Sequence, residues 1–182
     1  MQLPGLNPDI RLFGKVSEDM LGEFFRQQSE VRADGPIVLE LSTSGGEADM
    51  GRRLADELRL WQEQDRELFF LGKTFVYTAG VTVMSAFPKD HRFVTRGCEL
   101  LIHERKLKKE LRLEGALRGC RATLLDVLAE IESGQRLERA GFEQLVKGTP
   151  LTVDKVLEQV MEKDWYLSGE QAVAAGLVQA VV

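Results

Sequence analysis

Two adjacent glycines, Gly45-Gly46, follow the apolar run Ile37-Val38-Leu39-Glu40-Leu41. Thr78-Ala79-Gly80 follows a second apolar run, His103 ends a third, and Asp164 opens the last helical segment. A diglycine turn after a strand can aim backbone N–H groups outward, as a developing oxyanion requires. A hydroxyl, an imidazole and a carboxylate then follow in order, the three parts of a nucleophile activated by an oriented base. Each residue stands at the end of an expected element. Together they point to an acyl-transfer site.

Those elements must alternate between strand and helix. Residues 10–16 read as a short strand. Ser17 then serves as an N-cap, with Glu18 and Asp19 at the positive end of a helix whose apolar stripe is Leu21, Phe24 and Phe25. Pro36 starts a second strand, apolar almost without interruption up to Ser42-Thr43-Ser44, as strands covered by helices on both faces are. Met50, Leu54, Leu58 and Trp61 space a helix over about 48–64. A third strand covers 68–72 and is followed by 74–77; 80–87 is helix-compatible and stops at Pro88. Residues 92–95 and 100–103 complete the strands of this half. The pattern predicts an α/β fold with a largely parallel sheet.

Past His103 the periodicity changes. Leu107, Leu111 and Leu113 sit among polar residues at 106, 108, 110 and 112, a period of two that predicts an exposed ribbon. From Gly115 to Lys147 the chain reads as helix, with Leu117, Cys120, Leu124, Leu128 and Ile131 on one stripe and an irregularity at Gly134. A stripe so long and narrow cannot lie fully against a chain of this size. It predicts a projecting handle, about 104–147, that packs on another subunit. Thr152 caps a further helix, Ser168-Gly169-Glu170-Gln171 has capping-box spacing, Gly176 stops that last helix, and 177–182 closes the chain as a strand.

Composition narrows the partners. The chain has 182 residues, natural for one domain over 1–182, and its formal charge of −5 is spread without a charged tail. Neither nucleic acid nor a membrane surface is implied. No apolar run approaches the roughly 20 residues that span a bilayer. Residues 1–8 lack the basic and apolar regions of a signal peptide, so a cytoplasmic protein is expected. Cys98 and Cys120, both in apolar contexts, read as buried reduced thiols.

These residues resemble the proteolytic subunit family of the Clp protease, within the Clp-protease/crotonase fold superfamily, over nearly the whole length. The family's Pro-Gly-Gly turn is matched by Ser44-Gly45-Gly46, and its Arg-Phe and Ile-His pairs by Arg92-Phe93 and Ile102-His103. Its closing segment is similar to residues 162–168, with Ala172 and Gly176-Leu177-Val178 behind it. The resemblance implies that His103 is the base and Asp164 its orienting carboxylate. Counting back from His103 without a gap, it puts the nucleophile at Thr78, where the family has Ser, and the oxyanion donors at the amides of Gly46 and Ala79. It also implies a homo-oligomeric ring, peptide or unfolded-protein substrates, and no metal or organic cofactor. The family's ATPase-docking N-terminal segment looks shortened, since nine residues precede Ile10, so an unfoldase partner is not expected.

Each site residue also has a plainer reading. Gly45-Gly46 can be a tight turn, Thr78 a helix N-cap accepting from the Val81 amide, His103 a structural residue, and Asp164 a helix end. Ser85, about 10 Å along a helix from Thr78, is too far to share His103. Ser42 and Ser44 lie on the oxyanion turn and are poorly placed to attack. Threonine keeps the hydroxyl, but its methyl must fit beside the imidazole and its χ1 is restricted. The expected function is a Clp-like peptidase using Thr78, His103 and Asp164. The alternative is a catalytically inactive assembly or scaffold subunit. An acyl-CoA enzyme on the same superfamily fold, with no reason to keep this order, stands third.

Overall fold

The apolar run at 37–41 becomes an inner strand of a seven-stranded sheet. The computed structural model describes residues 3–5 and 7–182. Strands β1 (Ile10–Phe13), β2 (Ile37–Thr43), β3 (Leu68–Tyr77), β4 (Arg92–Val94) and β7 (Ala180–Val181) lie side by side in that order, all parallel. Strand β5 (Glu99–Ile102) also runs parallel to β3, and β6 (Trp165–Ser168) pairs antiparallel with β5. Helices α1 (Glu18–Gln28), α2 (Ala48–Gln62) and α3 (Ala79–Met84) connect the strands. Helices α4 (Leu117–Val146), α5 (Val153–Val160) and α6 (Gly169–Ala174) follow β5.

Two apolar layers hold the sheet. Ile10, Leu12, Leu39, Leu41 and Phe70 share the larger core with Phe24 of α1 and with Leu54 and Leu58 of α2. Val38, Phe69, Leu71 and Phe93 form a smaller cluster covered by Leu3 and Ala180. Burial on both faces is why β2 and the start of β3 lack polar alternation, as expected from their sequence. The capping residues also do what their types predict. Ser17 accepts from the Met20 amide, Thr152 accepts from the Lys155 amide, and Ser168 forms a reciprocal capping box with Gln171.

Several expected boundaries move. The first strand ends at Phe13, and Val16 makes only an isolated bridge to Gly46. Residues 68–77 are one strand with an irregularity inside it, rather than two segments. Residues 106–113 are exposed as expected but pair with no strand among the described residues. Gly134 causes no break: α4 is continuous over 30 residues, since one interior glycine costs only about 1 kcal/mol against a long helix. Cys98 is buried whereas Cys120 is only half-buried, because the first turns of α4 have no neighbour to cover them. The closing strand shrinks to Ala180–Val181. Finally, Asp164 does not open a helix; it precedes β6, a four-residue strand too short to show a period in the sequence. No described helix is long and apolar enough to cross a membrane.

Candidate active site

An irregularity in β3 decides where Thr78 ends up. Leu41 of β2 pairs with Gly72, yet Thr43 pairs with Val76, so two steps of β2 face four of β3. Thr74 takes a positive φ of 61° within this bulge. Before the bulge, Phe70–Gly72 pair with β4; after it, Phe75–Tyr77 pair with β5. The strand has changed neighbours. Its last hydrogen bond runs from the Thr78 amide to the Leu101 carbonyl at 2.9 Å.

Thr78 then turns the chain into α3 with φ 51° and ψ −111°. A β-branched residue rarely adopts a positive φ, and such a conformation costs about 1–3 kcal/mol. Its hydroxyl does not cap α3; the Val81 amide bonds to the Thr78 carbonyl at 3.0 Å instead. The N-cap reading of this side chain is therefore set aside. Oγ1 points at Gly45, where a Cβ would lie 1.9 Å from it. Only glycine fits there, and Gly45 also has φ 98°. At Gly46, with φ 155°, a Cβ would meet the Val16 carbonyl oxygen at 2.2 Å.

The diglycine turn is pinned on both sides. The Val16 amide bonds to the Gly45 carbonyl and the Glu47 amide to the Val16 carbonyl, at 3.0 and 2.9 Å. The Gly45 amide bonds to Thr43 Oγ1 at 3.1 Å. The amides of Gly46 and Ala79 make no turn or cap bond among the described residues. Both residues border the same cleft as Thr78 and His103.

His103 directly follows β5. Its Nδ1 lies 2.5 Å from the Glu104 carbonyl oxygen. A carbonyl only accepts, so this contact assigns the proton to Nδ1 and leaves Nε2 as an acceptor. Asp164 directly precedes β6. Its Oδ1 accepts from Lys106 Nζ at 3.1 Å, and no hydrogen bond joins it to His103. Yet the antiparallel register between β5 and β6 ends with Ile102 opposite Trp165. One further step would put His103 opposite Asp164. Such cross-strand neighbours have Cβ atoms about 4.5–5.5 Å apart.

The cleft has a volume of about 520 Å³. Gly46, Thr78, Ala79 and His103 line it, and Val81, Phe142 and Leu145 supply apolar surface. Asp164 borders an adjoining cavity of about 760 Å³, and Glu104, Arg105 and Lys106 border both spaces. Thr78, His103, Gly46 and Ala79 are thus brought together, with Asp164 across a narrow strap of chain. Ser85 is buried and its hydroxyl bonds to the Thr82 carbonyl at 2.6 Å; Ser42 and Ser44 do not line the cleft.

Neighbouring groups fix the site's surroundings. The Tyr77 hydroxyl bonds to Glu99, and that bond, helped by partial burial, pushes its pKa up to about 12. Tyr77 is therefore a proton donor that ties the last residue of β3 to β5. Burial pushes the Cys98 thiol up to about 12, so it is no competing nucleophile. Glu104 and Lys106 also border the cleft, although Glu104 precedes the alternating polar stretch and Lys106 begins it, with no local sequence signal for a place at the site. Phe142 and Leu145, within the span expected to form a projecting handle, line the cleft as well.

Thr78, His103, Gly46 and Ala79 thus border one cleft, and no hydrogen bond joins the Thr78 hydroxyl to His103 among the described residues. A model of the Clp protease family matches residues 9–182, and this chain belongs to that family. It is 25% identical over 176 residues to the ATP-dependent Clp protease proteolytic subunit 2 of Treponema pallidum, covering 95% of this chain and 81% of that protein. It is also 25% identical over 177 residues to the proteolytic subunit 3 of Rhizobium meliloti, covering 95% and 82%. A mutant form of ClpP1 from Listeria monocytogenes superposes with a TM-score of 0.74 at 17% identity, over 95% of this chain and 90% of that one. The mixed α/β fold with its long helix is thus the fold of that protein.

Proposed function

We propose that this chain is a peptidase of the serine-protease type in which Thr78 replaces serine as nucleophile, with His103 as base and Asp164 as the orienting acid. One observation carries the reading. Strands β3, β5 and β6 are lateral neighbours, and their adjoining ends present Thr78, His103 and Asp164 in that order. Three plainer roles would have no reason to converge on one edge of the sheet.

In this mechanism Thr78 Oγ1 attacks the scissile carbonyl carbon while its proton passes to His103 Nε2. The carbonyl π electrons move to oxygen, which the Gly46 and Ala79 amides stabilise; losing one such donor costs about a hundredfold or more. Collapse of the tetrahedral species breaks the C–N bond, and His103 returns the proton to the leaving amine. Water, deprotonated by His103, then attacks the ester carbonyl carbon; collapse breaks the C–O bond to Thr78, and His103 returns the proton to Oγ1 as the acid leaves. No metal or organic cofactor enters a step. Peptides and unfolded segments are the proposed substrates, because extended chain can enter the cleft. The relatives' names record ATP dependence for those proteins; the proposal here concerns the peptide-cleaving step.

The test is a fluorogenic peptide panel on the wild type and four variants, with particle size checked for each. Thr78→Ala abolishes hydrolysis, and Thr78→Ser raises it by relieving the methyl. His103→Ala loses nearly as much as Thr78→Ala, and Asp164→Asn also lowers the rate. A further Thr78→Ala/His103→Ala protein falls little below either single variant, because members of one catalytic unit are non-additive. Undiminished hydrolysis in Thr78→Ala removes Thr78 from the mechanism. Silence in both wild type and Thr78→Ser, with assembly intact, removes the peptidase reading.

A further inference from the structure

Asp164 pairs with a lysine and not with the imidazole one step along the ladder. The Lys106 ammonium lies 3.1 Å from Oδ1, while the His103 imidazole bonds to its own neighbour's carbonyl. The strap that brings Lys106 there is held independently of Asp164. Arg105 Nη2 bonds to Asp49 at 3.0 Å, the Arg105 amide bonds to Glu138 of α4, and the Glu162 amide bonds to Glu104 Oε2 at 3.0 Å. The β5–β6 ladder, meanwhile, stops one pair before His103 and Asp164 would oppose each other.

We propose that Lys106 is a positioning residue that latches the site: it holds Asp164 away from His103, and release of this ion pair lets the ladder close by one pair and the acid orient the imidazole. The inference rests on the catalytic reading above. In the latched state the Glu104 carbonyl keeps the imidazole in the acceptor tautomer, so His103 and Thr78 retain a reduced activity as a dyad. Releasing Lys106 exchanges a neutral acceptor for a carboxylate, whose charge-assisted bond better stabilises the imidazolium that forms in the transition state. The latch is weak by construction. The Lys106 side chain is 69% exposed and that of Asp164 37% exposed, so the pair is readily screened by salt. Lys106 borders the cleft as well as the adjoining cavity, whereas Asp164 borders the cavity alone.

Lys106→Gln and Lys106→Arg test this in the assembled protein. The glutamine variant is expected to raise kcat about two- to fivefold, the span an exposed ion pair can supply. Lys106→Arg restores the wild-type rate. Rising salt stimulates the wild type and leaves Lys106→Gln flat, and Asp164→Asn costs more in the Lys106→Gln background than in the wild type. A readout free of turnover uses selective ¹⁵N-histidine labelling, since the chain has only 2 histidines. The His103 Nδ1 proton moves downfield in Lys106→Gln as its acceptor becomes a carboxylate, and Asp164→Asn in that background reverses the move. An active wild type whose rate, salt response and imidazole spectrum Lys106→Gln leaves unchanged overturns the latch. A downfield shift without hydrolysis in any variant upholds the latch and overturns the peptidase reading instead.

Discussion

Thr78 shows how a single backbone torsion can carry a function. Its φ of 51° turns the hydroxyl out of the helix cap and against Gly45. The surrounding bonds, from Thr78 to β5 and from Val16 to the glycine turn, hold this strained state in place. Gly45→Ala should therefore fail twice. Its Cβ would collide with Oγ1, and its φ of 98° disfavours any L side chain. We expect about 1–3 kcal/mol lost in urea denaturation together with loss of peptide hydrolysis. Tyr77 offers a test by pH. Its folded pKa, raised to about 12 from 10.0 by the bond to Glu99, exceeds the unfolded value. The folded state therefore keeps a proton that the unfolded state loses. This contribution to stability is complete below about pH 10 and disappears as pH rises through about 12. Tyr77→Phe should remove the late-titrating tyrosinate absorbance and flatten alkaline unfolding over that window.

Elements meet at one buried cation. Arg92 in β4 is 1% exposed and has no carboxylate partner among the described residues; it donates instead to the carbonyls of Phe87, Leu145, Leu177 and Ser85 at 2.8–3.4 Å. Desolvation lowers its pKa to about 10, which still leaves it charged at neutral pH. These carbonyls lie after α3, in the last turn of α4 and after α6, so one side chain ties three helix ends to the sheet. Leu145 also lines the cleft. Arg92→Met would leave several buried acceptors unpaired, each costing about 1–3 kcal/mol. We expect at least about 3 kcal/mol of lost stability by denaturant titration, with a rise in KM as the α4 wall of the cleft loosens.

The whole molecule leaves one surface unfinished. Along α4, Leu117 is 86% exposed, and Leu124, Leu125, Leu128 and Ile131 are 41–49% exposed. Leu107, Leu111 and Leu113 of the strap add to this apolar area. Thirty helical residues extend about 45 Å, well past the sheet that could cover them. The handle, by this reading, packs on further copies of the chain in a homo-oligomeric ring. Sedimentation equilibrium at micromolar concentration should show an oligomer, and a monomer would end the proposal. Leu124→Asp should reduce the particle mass while circular dichroism stays native, because position 124 carries little burial within one chain.

Local signals were enough for much of this. The N-cap at Ser17, the capping box at Ser168 and the apolar spacing of α2 depend on neighbours a few residues away, and all are legible in the sequence. So are the positions of Thr78, His103 and the glycine turn at the ends of elements, since each follows an apolar run. What the sequence could not show depends on register between distant segments. The bulge that moves β3 from β4 to β5 is set by pairing with β2, and four residues of β6 acquire their strand identity only from β5. Asp164 therefore changes from the start of a helix to the threshold of a strand. Lys106, a charge among similar charges in the chain, meets Asp164 only because the tertiary structure brings the two together. Sequence determined which groups stand at the ends of elements; only three-dimensional pairing decided which of them touch, because contact distance is a property of register and not of spacing.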